Sequence, residues 1–152
     1  MNSYRSNHAV VKDMSLTLLS EGKTIRIKAH GYSMYPCIKP GSLILIEPIS
    51  VKGFPKPGEI IAVKREAGLI VHRLIRINVK NGIRYYIARG DSNAYSDNPV
   101  KIDKIVGRIT GAESTGENPI AADVRINARP NYIINRIRVI GLILWKKIKR
   151  VI

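Results

Sequence analysis

The sequence predicts a mainly-β domain with a short helix at its N-terminal end and a basic amphipathic helix at its C-terminal end. Three observations carry that expectation. The 152-residue chain is 45% hydrophobic and 24% charged, the balance of one soluble core, and only 6% of it is aromatic. Its apolar residues gather in Ile- and Val-rich runs, LILIEPI, EIIAVK, LIVHRLIRI and YYIAR, where branched side chains suit a pleated surface. Gly, Pro and Asn separate those runs, as turns require.

Residues 9–21 place Val10, Met14 and Leu18 at intervals of four, with Val11 and Leu19 beside them and Gly22 as a stop, which predicts a short amphipathic helix. TIRIKA alternates apolar and basic residues like a half-exposed strand and delivers the chain into the turn HGYSMYP. Lys39-Pro40-Gly41 and Lys56-Pro57-Gly58 are further turns, each followed by an apolar strand. From Glu59 to Arg89 a three-stranded meander is expected, its second turn at Asn81-Gly82, where a type I′ hairpin needs positive φ at both positions. With two loop residues, His72 falls opposite Asp91 unless a bulge shifts the register. A polar loop follows Gly90, then VKIDKIVGRITG as a last strand or two. Residues 112–130 read as a connector. From Asn131 onward, Ile133, Ile137, Ile140, Leu144, Ile148 and Val151 form one helical stripe. The organisation expected is 1–25 as helix and lead-in, 26–115 as the core, and 116–152 as connector and basic helix.

The formal charge is +15, and no acid follows Asp123, so eight Lys and Arg between 124 and 152 supply +8 of it. Such a tail is drawn to anionic surfaces, lipid or nucleic acid. A DNA-binding role is not expected, because residues 1–25 have room for one helix rather than a helix-turn-helix. The C-terminal stripe has two readings: packed on its own domain, or inserted among anionic headgroups with its basic residues at the surface. No run approaches the roughly 20 apolar residues of a spanning helix, and the N-terminus lacks the apolar core of a secretory signal. The expected location is cytoplasmic or peripheral to a membrane. Cys37 stands alone, which excludes an internal disulfide and multi-thiolate zinc; no metal or cofactor is expected.

Histidine is scarce: His8, His30 and His72. His72 lies in a strand expected to be interior, and Asp91 and Asp97 are the acids within its reach. Ser33, His72 and one of these aspartates can divide nucleophile, general base and orienting carboxylate among them. The same residues also fit a plain reading, with Ser33 capping its own turn, His72 a satisfied strand histidine, and both aspartates loop-formers.

Six ordered pieces bear on that choice: GYSMYP at 31–36, KPGS at 39–42, PGEII at 57–61, VHRLI at 71–75, RGDSN at 89–93 with Asp97, and IVGR at 105–108. Together they resemble the motif set of the signal peptidase I family and, more loosely, the LexA-like self-cleaving repressors of the same clan. The resemblance implies a signal peptidase/LexA-like β-barrel-type catalytic domain and a serine endopeptidase cleaving an extended peptide after small side chains. It makes Ser33 the nucleophile and His72 the base, at the position where most bacterial signal peptidases carry lysine, as in the SipW-like, archaeal and endoplasmic-reticulum branch. It makes Asp97 the orienting acid and Asp91 a loop organiser, whereas the hairpin register favours Asp91 beside His72. Gly31 and Met34 flank the nucleophile in the substrate and oxyanion region. Gly31 stands where many members carry a hydroxyl, leaving the oxyanion to backbone N–H groups, chiefly that of Ser33. The family's N-terminal spanning helix is not expected in residues 1–25, which read as a short amphipathic helix. Those two departures motivate an alternative, a catalytically inactive peptide-binding or regulatory member of the clan.

Overall fold

The computed structural model describes residues 3–66, 68–113 and 129–150. Six strands form one antiparallel sheet: β1 (Ile25–Lys28), β2 (Leu43–Pro48), β3 (Ile60–Arg65), β4 (Gly68–Lys80), β5 (Ile83–Arg89) and β6 (Ile105–Glu113). Their spatial order is β1-β2-β6-β3-β4-β5, with β1 and β5 at the edges. Helix α1 (Ser3–Ser20) precedes the sheet, the single turn α2 (Ile49–Lys52) follows β2, and α3 (Tyr132–Lys149) ends the described chain. The mainly-β expectation holds, and β6 continues to Glu113, into what read as connector. The rest of that connector lies outside the described residues.

The unbroken apolar run in β3 has a simple cause: it is buried on both faces. Ile60 and Ala62 join Leu19, Met34, Ile44, Ile46 and Ile109 on one side, while Ile61 and Val63 join Leu74, Tyr86, Ala88 and Ile105 on the other. Close packing also sets Gly107, where an added Cβ would stand 2.5 Å from the Glu47 carbonyl oxygen of the neighbouring strand.

The Asn-Gly turn forms as its chemistry demands, with φ of 51° at Asn81 and 75° at Gly82. Pairing runs as the two-residue loop predicts from Lys80↔Ile83 to Arg76↔Ile87, then slips by one residue, so that Leu74 faces Ala88 and Arg73 faces Arg89. That bulge overturns the expected pairing of His72 with Asp91.

Helix α1 closes with Gly22 at φ 78°, the Gly22 and Lys23 N–H groups donating back to Leu19 and Leu18. Part of the expected stripe packs: Leu19 is buried and Leu18 is packed partly buried against the core, with Ser15 buried beside them, whereas Val10 and Met14 are exposed.

Candidate active site

Ser33 sits in a turn between β1 and β2 that one i to i+3 bond (Tyr35 N–H to Tyr32 O, 3.0 Å) and one i to i+4 bond (Ile38 N–H to Met34 O, 2.9 Å) hold together. Met34 and Ile38 anchor the turn in the core, and Gly31 enters it at φ 77°, a conformation that favours glycine. Ser33 itself stays half-buried.

A second loop, after β5, clamps the first. The Ser92 N–H donates to the Ser33 carbonyl at 2.9 Å, and the Ser92 hydroxyl reaches the Tyr32 carbonyl at 2.6 Å. Gly90 is glycine for a steric reason: a Cβ there would lie 2.7 Å from the Ser33 oxygen. Arg89 closes the turn by donating to the Asn93 carbonyl at 2.8 Å and 3.1 Å.

The two aspartates of this loop do different things. Asp91 is 1% exposed and receives two hydrogen bonds from Arg73, at 2.9 Å to Nε and 2.8 Å to Nη2. Burial alone would lower the Arg73 pKa; hydrogen bonding and attraction from Asp91 outweigh it and raise the pKa above its ordinary value. Asp91 is therefore an anchor for the loop rather than an acid for His72, which corrects the register-based expectation. Six residues on, the chain folds back along β5, with the Asp97 N–H on the Ala88 carbonyl at 2.8 Å and Val100 bridged to Tyr86. This return places the Asp97 carboxylate 2.6 Å from His72 Nδ1.

That contact biases the imidazole tautomer. A carboxylate only accepts, so in the neutral imidazole this contact favours the proton on Nδ1 and leaves the lone pair on Nε2. His72 is 7% exposed. Together with Ser33, His30, Gly31 and Met34 it lines one cleft of about 940 Å³. Lys12, Arg26 and Lys28 line the cleft too, and no carboxylate does among the described residues. The side chain of His8 lies outside what is described.

Two strand edges border the cleft. β1 ends the sheet, and β5 pairs with β4 only from Arg73 onward, so that among the described residues no strand pairs with the first residues of β4, Gly68 to His72, on that side. The arrangement can hold an extended peptide and abstract a proton inside a partly desolvated groove.

Sequence reasoning missed three residues that build the site: Arg73, Ser92 in its clamping role, and Asn135 of α3, whose side-chain amide donates to the Asp91 carbonyl at 3.0 Å. For Arg73 a signal existed, since a charge inside the apolar run LIVHRLI must find a partner. For Asn135 there was none, because the contact joins residues 44 apart across the connector.

A family model described as Peptidase S24-like matches residues 3–110. No curated protein matches the chain. The matched span covers the Ser33 turn, the His72 strand and the Asp91–Asp97 loop, and it stops short of α3.

Proposed function

The chain belongs to the Peptidase S24-like family, and from that premise we propose that it is a serine endopeptidase of the Ser-His type, close in mechanism to the signal peptidase I branch. The observation that carries this reading is the Asp97–His72 hydrogen bond of 2.6 Å at the wall of the cleft that Ser33 shares. A base with a fixed tautomer, a hydroxyl in the same cleft and an unpaired strand edge are the parts that acyl transfer to a serine needs.

Ser33 Oγ attacks the scissile carbonyl while His72 Nε2 takes its proton; Asp97 stabilises the imidazolium that forms. Oxyanion charge falls to backbone N–H groups, chiefly that of Ser33, since Gly31 offers no hydroxyl; one such donor is worth about 100-fold to 1000-fold in rate elsewhere. His72 then returns the proton to the leaving amine, and water repeats the sequence on the acyl-enzyme. The substrate is an extended segment that adds to the free edges at β1 and the start of β4, with a small side chain before the cleaved bond. Incubation with a mixed peptide library, read by mass spectrometry, tests the assignment. Wild-type chain is expected to cut, and Ser33→Ala or His72→Ala to lose at least about 1000-fold in rate with an unchanged circular dichroism spectrum. Undiminished cutting by either folded variant refutes it.

The second reading is an inactive peptide-binding member of the clan, favoured by Gly31 at the position where a hydroxyl would assist. It predicts peptide binding without hydrolysis by the wild-type chain.

A further inference from the structure

Helix α3 sits on the domain inside out. Its inward side is Tyr132, Asn135, Val139, Leu142 and Lys146, spaced three and four apart along one face. Tyr132 stacks under the Arg89 guanidinium at 3.8 Å, Asn135 is buried against the Asp91 carbonyl, and Lys146 pairs with the Tyr32 hydroxyl. Those contacts are polar, and they end on the two loops that carry Ser33 and Asp91.

The opposite face is apolar and faces outward. Ile133, Ile137 and Ile148 are 75%, 64% and 55% exposed, and Ile140, Leu144 and Trp145 continue the same surface. At 3.6 residues per turn, Arg136 and Lys147 border one side of this stripe while Arg138 and Lys149 border the other. Residues 124–152 contain no Asp or Glu. An exposed apolar stripe of this length is uncommon on a soluble surface and marks a binding face.

We propose that α3 is an interfacial helix that binds the surface of an anionic lipid bilayer, its Ile-Leu-Trp stripe among the acyl chains and its basic borders on the headgroups. Charge decides the occupant. A second copy would bring the same basic borders against these, and a soluble apolar partner would leave them unmatched, whereas anionic headgroups meet both borders at once. No helix among the described residues is long and apolar enough to cross a membrane, so α3 lies along the surface rather than through it. Because its inward face rests on the Ser33 and Asp91 loops, docking sets the cleft close to the lipid. The lipid binding itself does not depend on the peptidase reading, and it is measured without any substrate.

Trp145 is the chain's only tryptophan and lies on the exposed face, so its fluorescence reports directly. Full-length chain is mixed with phosphatidylcholine vesicles, with or without 30% phosphatidylglycerol, and followed by emission and flotation. The expected result is a blue shift, quenching by brominated acyl chains, and flotation with the anionic vesicles. Salt should weaken the binding, and each basic border residue replaced by Gln should weaken it about fivefold. Ile137→Asp together with Leu144→Asp, both on exposed positions, should abolish flotation while leaving the fold unchanged by circular dichroism. The proposal is overturned if neither vesicle moves Trp145, if the double Asp variant floats like wild type, or if Trp145 is already buried without lipid in a dimer seen by sedimentation.

Discussion

The sheet and α3 use the same residue types in opposite ways. In the sheet, isoleucines such as Ile46 and Ile61 are fully buried and the charges that go in with them are paired, as Arg73 is with Asp91. In α3 the isoleucines face out, and the side toward the body combines polar contacts from Tyr132, Asn135 and Lys146 with half-buried Val139 and Leu142. The hydrophobic effect therefore dominates in the sheet, whereas polar contacts worth about 1 kcal/mol each contribute to docking the helix, and its isoleucine face stays exposed.

The sharpest way to divide function from fold within the body is to change the two aspartates of one loop. Asp97→Asn should lower turnover by about 10⁴-fold, by freeing the wrong imidazole tautomer, and shift unfolding free energy by only about 1 kcal/mol. Asp91→Ala should destabilise by about 3–5 kcal/mol, because it strands a buried guanidinium. Denaturant unfolding beside peptide turnover reads both; equal stability losses would break the distinction.

Next in size is the contrast between apolar positions. Leu74→Ala, at a fully buried site, should cost about 2–5 kcal/mol. Ile137→Ser, on the outward face of α3, should stay within about 0.5 kcal/mol. A large loss at Ile137 would mean that its surface is covered in the free protein.

The smallest effect is at the seam between the two regions. Burial, then the negative charge of Asp91, raises the Tyr132 pKa above its ordinary 10. The folded state thus favours the neutral phenol. Its contribution to stability is intact below the unfolded value of about 10 and is lost as pH rises through the higher folded value. Ultraviolet titration of wild type against Tyr132→Phe should show the missing tyrosine as the late-ionising one.

Much of the sheet was readable from residue order, because each device involved is local. The Asn81-Gly82 turn, the alternation in TIRIKA and the apolar run that marks β3 as a strand depend on neighbours a few positions away, whereas the burial of β3 on both faces depends on residues as distant as Leu19 and Ile109. The β4 bulge was not readable: a single extra residue opposite β5 leaves no mark in composition, yet it decides which aspartate has Arg73 for a partner. Asn135 illustrates the same limit over a longer distance. For α3 the periodicity located the stripe, but the choice between inward and outward rested on contacts with the Asp91 loop that only the folded chain contains.

The central claim is that Ser33 is a hydroxyl activated by His72. Intact-mass analysis after treatment with a fluorophosphonate tests it most directly. One adduct per folded chain, located on Ser33, absent from Ser33→Ala and strongly slowed in His72→Ala, is the predicted result. An adduct that persists in folded Ser33→Ala, or a wild-type chain that stays unlabelled, would contradict it.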